Sequence, residues 1–217
     1  MIVRLHNLSS RSPLLTDLNA IVELRTVCDL ADFGCVQTVR EDVEKAWQSF
    51  NFNRLTDAWV VYTRKGQLVG YADVWPELID ATGTQLVATL YVHPDYRGRG
   101  IGTLLTWLTE ERAREMAHTF TGWVTLRRVV GTLTLSANRL LQRERYILVK
   151  SFWRVFLDEG QDCFTLDVPV ASSVVFDGTS EKHQTGLYHA HHFNVYEKDL
   201  CGVSDPCTEA LLMEPVA

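Results

Sequence analysis

The chain has 217 residues, 46% hydrophobic and 22% charged, which suits one globular domain with a complete core. Its formal net charge of −6 disfavours non-specific binding to nucleic acid or to an anionic membrane. With no signal-peptide or transmembrane run and no Cys-x-x-Cys spacing among five cysteines, we expect a cytoplasmic protein with neither a disulfide framework nor a zinc site.

The first 157 residues alternate strand patterns with helical patterns, and a turn at Arg64-Lys65-Gly66 is typical of a hairpin. In chain order the predicted elements are strand 2–6, helix 17–30, a helix from Thr38, strands 58–63, 67–75 and 85–92, helix 100–118, strand 122–129, helix 134–143 and strand 147–157. This order predicts an α/β domain with a mixed sheet and helices on both faces.

The last part of the chain differs in composition. Residues 169–180 are rich in small and polar side chains, which is typical of a linker around a short strand at 173–176. Apolar side chains over 186–200 have a spacing that predicts a helix. We therefore expect one domain over 1–165, followed by a linker and C-terminal extension over 166–217.

The most informative stretch leads from a strand pattern through a turn into a glycine-rich loop and a helix, from Tyr91 to Gly102. A helix that begins there leaves its first N–H groups unpaired, and its positive dipole end attracts an anion. Glycines lack a Cβ, so the anion can approach the backbone closely, and two arginines would add charge. The residues expected to form this pyrophosphate cradle are Arg97, Gly98, Arg99, Gly100, Ile101, Gly102 and Thr103.

Glycine spacing separates this cradle from two other phosphate-binding loops. A dinucleotide fingerprint counted from Gly98 needs glycine where Thr103 stands, and counted from Gly100 it needs glycine where Leu105 stands. The Walker loop is excluded because no Gly-Lys-Ser or Gly-Lys-Thr ending is present. The spacing that does fit is Arg-x-x-Gly-x-Gly, from Arg97 to Gly102.

This pattern, with Leu-Tyr-Val-His-Pro-Asp-Tyr before it, resembles the acyl-CoA signature of the GNAT N-acetyltransferase superfamily. Residues 28–32, 56–61 with 69–75, and 151–154 are similar to the tandem-GNAT group that includes mycothiol-synthase-like proteins. The resemblance covers roughly residues 1–160 and implies the GNAT fold, with a mixed sheet of about six to seven strands. It also implies acetyl-CoA as co-substrate and no metal.

In the tandem group a second GNAT domain follows the first. Residues 174–200 look like the first strand and first helix of such a domain, after which the chain stops. Two interpretations stay open at this point. The segment is either a truncated second repeat or a C-terminal extension specific to this protein. Such an extension would pack on the domain or on a second subunit in a homodimer.

The resemblance implies roles for backbone groups in the strand before the cradle. In the family this strand is splayed from its neighbour and pairs with pantetheine, which places the contact at Val92. The N–H of Leu90 falls where the family polarises the acetyl carbonyl, an oxyanion-hole role. The implied reaction is direct attack on the acetyl thioester, in a ternary complex, by a primary amine of a small molecule or peptide.

The family's usual acid and base are absent from the matching positions, which are Leu86 for the base and Leu141 for the acid. We consider three replacements: Asp73 as a proton relay, His93 as a titratable group and Tyr146 as the acid. The missing base favours an acceptor amine of low pKa. An alternative hypothesis is a catalytically degenerate acyl-CoA-binding module with a structural or regulatory role.

Histidines cluster near the C-terminus at His183, His189, His191 and His192. Neither an acidic residue nor a cysteine accompanies them at a fixed spacing of the kind that metal sites show. We therefore interpret them as a solvated or interface cluster and predict no metal site.

Overall fold

The computed structural model describes residues 7–38, 40–79, 82–157, 163–168 and 188–200. Its strands are β1 (Leu8–Arg11), β2 (Ala58–Thr63), β3 (Leu68–Ile79), β4 (Gly83–Val92), β5 (Trp123–Gly131), β6 (Ile147–Leu157), β7 (Cys163–Val168) and β8 (Tyr188–Asp199). Its α-helices are α1 (Leu18–Phe33), α2 (Arg40–Gln48), α3 (Arg54–Asp57), α4 (Ile101–Ala117) and α5 (Leu135–Arg143). The strands predicted at 2–6 and 173–176 lie outside the described residues.

The eight described strands form one mixed sheet in the order β1-β2-β3-β4-β5-β8-β6-β7. Neighbouring strands are antiparallel, except for the parallel pair of β4 and β5. α1 and α2 pack on one face, where Ile21 and Tyr71 share a core cluster, and α4 packs on the other through Ile101 and Leu105. The predicted α/β class, with helices on both faces of a mixed sheet, is confirmed.

Burial on both faces explains the local sequence patterns. In β2 the consecutive residues Val60 and Val61 point to opposite faces and are both fully buried, so the strand carries a nearly continuous apolar run. In α4 the buried stripe recurs at helical spacing through Leu105, Thr109 and Ala113. Of the helices in the described ranges, none combines the length and apolarity needed to cross a membrane.

The helix predicted over 186–200 is wrong, because the described part of this segment contains strand β8, Tyr188–Asp199. β8 pairs with β5 on one side and with β6 on the other, so it lies inside the sheet. Phe193 and Val195 face a cluster beside α1, whereas Tyr196 joins the core beneath α4. Because both faces of this strand are buried, it lacks a simple apolar–polar alternation, and its apolar residues happen to fit helical spacing.

The position of β8 also corrects the expected organisation. The boundary expected after residue 165 falls inside β7, which pairs with β6. The segment interpreted as the first helix of a second repeat instead supplies a central strand of the first sheet. The described part of the extension is therefore integral to this domain.

A buried asparagine on α5 joins β8 to the rest of the sheet. The Asn138 amide nitrogen donates to the carbonyl oxygens of Gly131 and Thr134, at 2.8 and 3.0 Å. Its carbonyl oxygen accepts from Asn194 Nδ2 and from the Tyr196 hydroxyl, at 2.9 and 3.0 Å. Every polar atom of this side chain therefore bonds the end of β5, the start of α5 or β8.

We expect Asn138→Ala to lower the free energy of unfolding by about 2–4 kcal/mol, because it leaves several buried polar groups unpaired. Urea denaturation measures this loss. Ser136→Ala, at an exposed position of the same helix, is the matched control and should change stability by less than about 0.5 kcal/mol. Equal stability of the two variants would contradict the role of Asn138 in anchoring β8.

The parallel pairing of β4 with β5 ends before either strand does. Residues 83–87 of β4 pair with 123–127 of β5, after which the strands separate. Beyond that point β4 keeps β3 as its neighbour to Val92, and β5 keeps β8 to Gly131. The two strands therefore diverge and leave a gap in the middle of the sheet.

Candidate functional site

The gap between β4 and β5 opens into a cavity of about 730 Å³, here called the β4–β5 cavity. Residues 89–92 of β4 and 129–131 of β5 form opposite walls. The rest of the lining comes mainly from one stripe of α1, from the glycine-rich loop before α4 and from one face of α5. Further lining residues are Gln37, Thr38, Asp42, Arg154 and Phe193. The cavity thus brings together the predicted cradle and the strand that precedes it.

The backbone of β4 directs polar groups into this gap. The His93 N–H donates to Val69 O at 3.0 Å, in register with the pairing of Tyr91 to Tyr71. In an antiparallel ladder the bonded residues alternate, so Leu90 and Val92 turn their N–H and C=O groups away from β3. Val92 O accordingly accepts from Cys28 Sγ and from Arg97 Nε, at 3.4 and 3.2 Å.

The cradle has the backbone geometry that an anion site requires. Gly98 and Gly100 have φ values of 75° and 91°, in the left-handed region that glycine adopts most readily. Gly100 is the N-cap of α4, no side chain caps this helix, and its first turn contains no acidic residue. The first N–H groups of α4 therefore meet neither a capping side chain nor a competing carboxylate.

The two arginines of the loop, which were expected to meet the anion, both have partners within the protein, and only Arg97 lines the cavity. The Arg97 guanidinium makes a double hydrogen bond to Asp32 of α1, at 2.7 and 2.9 Å. The Arg99 guanidinium lies over the Tyr96 ring and donates to Asp95 O at 2.9 Å. Arg97 therefore ties the loop to α1, and Arg99 does not line the cavity.

Two arginines of α5 also line the cavity, and the guanidinium of one of them, Arg143, forms an ion pair with Glu144 at 2.9 Å. Arg139 and Arg143 are four residues apart, so they share a helix face, and both line the β4–β5 cavity. Arg143 Nη2 lies 2.8 Å from the hydroxyl of Thr103, in the first turn of α4. The spacing was visible in the sequence, but nothing there indicated that α5 lies beside the cradle.

A buried carboxylate lies behind the cavity wall on the α1 side of β4. Asp73 accepts hydrogen bonds from the hydroxyls of Tyr71, at 2.6 Å, and of Thr89, and Thr89 itself lines the cavity. Burial raises the pKa of Asp73, and the hydrogen bonds from Thr89 and Tyr71 oppose this rise. Asp73 is therefore connected to the cavity through one hydroxyl group.

The other two acid–base candidates lie outside the cavity lining. Tyr146 is buried in the core, where its hydroxyl accepts from Arg128 Nε at 3.1 Å, and burial raises its pKa to about 12. His93 starts the short 3₁₀ turn at Pro94, and its Nδ1 accepts from the backbone N–H of Asp95 at 3.3 Å. Tyr146 is thus a core residue and His93 a turn residue.

Replacing Tyr146 by phenylalanine should separate stability from activity. We expect Tyr146→Phe to cost about 1–3 kcal/mol of folding free energy, because the buried Arg128 loses a hydrogen-bond partner. Any transfer activity should stay within about twofold of wild type, since the hydroxyl is remote from the cavity. Urea denaturation and steady-state kinetics measure the two effects. A large loss of kcat at unchanged stability would instead show that the Tyr146 hydroxyl takes part in catalysis.

The histidines of β8 make contacts typical of packing. His192 stacks on Trp153 with ring centroids 4.6 Å apart, and burial lowers its pKa. His191 Nε2 lies 3.2 Å from Cys35 Sγ. His183 and the side chain of His189 lie outside the described part of the structure. Within that part, no group of three or more His, Cys, Asp or Glu side chains is arranged to hold a metal ion.

Sequence comparison connects this geometry to a known domain. Residues 55–148, which include β4, the cradle and α5, match the family model described as an acetyltransferase (GNAT) domain. No curated protein sequence is similar to the chain.

Solved structures extend the similarity to most of the chain. The GCN5-related N-acetyltransferase from Sphaerobacter thermophilus is 28% identical to this chain, with a TM-score of 0.60. The match covers 71% of this chain and 48% of that protein, so this chain spans about half of its length. YncA from Salmonella typhimurium, solved with its cofactor acetyl-CoA, is 16% identical, with a TM-score of 0.59 over 92% and 98% of the two chains. A GCN5-related N-acetyltransferase from Kribbella flavida is 17% identical, with a TM-score of 0.57 over 89% and 98%. The chain therefore has the GNAT fold, and its central segment, residues 55–148, is similar to the GNAT acetyltransferase domain.

Proposed function

We propose that the protein is an N-acetyltransferase that transfers an acetyl group from acetyl-CoA to a primary amine of a small molecule or peptide. The observation that carries this proposal is the β4–β5 cavity, where an unpaired strand segment leads directly into an uncapped helix N-terminus. The similarity to GNAT structures supports acetyl transfer in general. We further propose that the reaction takes place in the cytoplasm.

In this proposal the pyrophosphate of acetyl-CoA binds the N–H groups of residues 98–103. The fit rests on the left-handed glycines, on the helix start without acidic residues and on Arg139 and Arg143 nearby. The chain supplies these donors and cations, and acetyl-CoA supplies the acetyl thioester. Arg97 holds the loop in place through its double hydrogen bond to Asp32.

Leu90 and Val92 contribute backbone groups in this proposal. Both residues turn their N–H and C=O groups away from β3 and line the cavity. We assign the Val92 N–H to pair with pantetheine, because the Val92 carbonyl already accepts from Cys28 and Arg97. The Leu90 N–H is assigned to polarise the acetyl carbonyl, where negative charge develops during amine attack. Positioning of the two substrates in one cavity supplies the rest of the rate acceleration.

The acceptor amine must be neutral to attack. At pH 7 deprotonation costs about 4–5 kcal/mol for an amine of pKa 10.4 but only about 1 kcal/mol for one of pKa 7.8. Leu86, at the family's usual base position, is fully buried and has no group that could accept a proton. We assign proton removal to Asp73 acting through the Thr89 hydroxyl, and we expect an acceptor of low pKa.

No residue is assigned as a general acid. Leu141, at the family's usual acid position, is buried and apolar, and Tyr146 lies in the core. A thiol of pKa about 8.5 leaves readily as a thiolate near neutral pH, so solvent can protonate it. The lack of a general acid at Leu141 and at Tyr146 favours the second candidate function, a catalytically degenerate acyl-CoA-binding module.

Release of free thiol from acetyl-CoA, measured against a panel of amines, tests the proposal. Thiol release that depends on the amine, with the acetylated amine identified by mass spectrometry, is the expected result. Binding of acetyl-CoA without release over a broad panel would favour the degenerate module instead. A control with NAD in place of acetyl-CoA separates specific binding from general affinity for nucleotides.

A further inference from the structure

On the α1 side of the β4–β5 cavity, the guanidinium of Arg25 donates no hydrogen bond to any described residue. Its Nε is buried and has no hydrogen-bond partner among the described residues, and the guanidinium forms no ion pair with any of them. The group lies over the Tyr91 ring, with Cζ 4.9 Å from the ring centroid. A largely buried guanidinium without acceptors is costly, so a ligand that supplies acceptors would be strongly favoured there.

A second donor lies on the same wall. The side-chain nitrogen of Gln37 is buried and makes no hydrogen bond within the described ranges, although it interacts weakly with the Cys35 thiol. Both Arg25 and Gln37 line the cavity. Two buried donors on one wall require a ligand group rich in acceptor oxygens.

No carboxylate among the described residues forms an ion pair with Arg25, although the charges of Asp73 and Asp29 act on it and Asp42 lines the same cavity. Asp29 Oδ2 accepts from the backbone N–H groups of Gln37 and Thr38, and from the Thr38 hydroxyl, at 2.6–3.0 Å. Asp32 is engaged with Arg97. Both carboxylates thus have protein partners, and the Arg25 cation remains available to a ligand.

Arg25 lies on the side of β4 from which the acceptor amine is expected to attack the acetyl group. Side chains alternate along a strand, so Tyr91 and Thr89 share one face of β4, about 7 Å apart. Arg25 covers Tyr91, and the hydroxyl of Thr89 leads to Asp73. An acceptor whose amine lies near Thr89 would therefore place a second functional group beside Arg25.

We propose that Arg25 binds a carboxylate of the acceptor, so that the substrates are amines that also carry a carboxylate, free amino acids foremost. This inference rests on the acetyl transfer proposed above. The planar guanidinium matches a carboxylate with two parallel hydrogen bonds, which a lysine ammonium cannot reproduce. Gln37 supplies a further donor to the same group.

The test compares kcat/KM, calculated on the concentration of neutral amine because the amines differ in pKa, for matched acceptors: an α-amino acid, its amide, the corresponding decarboxylated amine, a γ-amino acid and O-phosphoethanolamine. We expect the wild type to prefer an amino acid over its amide by roughly 10- to 100-fold, the factor expected from charge-assisted hydrogen bonds. Arg25→Met should reduce the ratio of kcat/KM for the amino acid and its amide to about one, whatever change the loss of a charge near Asp73 makes to both values. Arg25→Lys should recover only part of the preference.

Arg40→Gln is the matched control, because it removes an exposed α2 cation that pairs with Glu44 outside the cavity. It should leave the selectivity unchanged. The melting temperature of Arg25→Met should equal or exceed that of wild type, since an unpaired buried cation is removed. If Arg25→Met fails to fold, Arg25→Gln provides the same comparison.

Equal kcat/KM for amino acid and amide in the wild type would overturn the inference while leaving acetyl transfer intact. A preference for O-phosphoethanolamine over every amino acid would overturn the carboxylate assignment in favour of phosphate. If no amine is acetylated, the proposed function fails, and calorimetric binding of amino acids to the CoA-saturated protein decides the inference. Binding that Arg25→Met abolishes supports it, and binding equal in both proteins, or absent from wild type, overturns it.

Discussion

Gly100→Val is expected to abolish acetyl-CoA binding, with a loss of affinity of at least about 100-fold. The φ of 91° at Gly100 is strained for a β-branched residue by about 1–3 kcal/mol, so the loop would leave the conformation that presents its N–H groups. Loss of two charge-assisted hydrogen bonds to phosphate alone accounts for a factor of this size. Isothermal titration calorimetry measures the affinity directly.

Backbone strain also lowers stability, so a matched control is needed. Gly66 lies in the turn between β2 and β3, has a φ of 79° and has no other atom within 4 Å of an added Cβ. Gly66→Val therefore carries similar strain at a site outside the cavity and should bind acetyl-CoA as wild type does. Equal loss in both variants, or wild-type affinity in Gly100→Val, would remove the basis for the cradle assignment.

Asp73→Asn is expected to lower kcat by roughly 100- to 1,000-fold while leaving acetyl-CoA affinity within about twofold. The magnitude is that of general base catalysis by a positioned side chain. An asparagine keeps the shape of the carboxylate but cannot take the proton that Thr89 passes on. Steady-state kinetics with saturating acetyl-CoA, together with calorimetric titration, separates the two quantities.

Two further variants locate the effect within the hydrogen-bond network. Thr89→Val removes the connection to the cavity and should reproduce the loss of kcat seen in Asp73→Asn. Tyr71→Phe removes the other hydroxyl that donates to the same carboxylate and should keep kcat within about fivefold of wild type. A severe loss in Tyr71→Phe with near-normal activity in Thr89→Val would contradict the proposed route.

The pH dependence of both activity and stability follows from the raised pKa of Asp73. The base acts as the carboxylate, so kcat/KM should fall as pH drops through a pKa above the ordinary value of 3.8. Between 3.8 and the raised pKa, the folded state binds more protons than the unfolded state, so this group makes stability fall as pH rises. Asp73→Asn should remove that dependence, as denaturation at several pH values would reveal.

Local features of the fold and cradle could be predicted because neighbouring residues determine them. The loop and helix start at 97–103 depend on three glycines at alternate positions, which a single sequence displays directly. Helix α4 and the strands β2 to β6 carry patterns set by their own buried faces. The element order was then sufficient to predict a mixed sheet with helices on both faces.

The remaining features depend on which elements meet in three dimensions. Strand β8 is buried on both faces, so its own pattern did not distinguish a strand from a helix. Tyr146 was considered as an acid because of its place after α5, yet the fold directs it to Arg128 in the core. Arg25 had no sequence signal at all, because its importance comes from its position over Tyr91 and from a buried Nε without a hydrogen-bond partner among the described residues.

Calorimetric titration of the protein with acetyl-CoA, with NAD as the control ligand, tests the central claim most directly. We expect one molecule of acetyl-CoA to bind per chain with a Kd of about 1 μM to 1 mM, the usual range for enzyme substrates, and we expect no binding of NAD. Failure to bind acetyl-CoA, or equal binding of NAD, would contradict the assignment of the β4–β5 cavity as an acyl-CoA site.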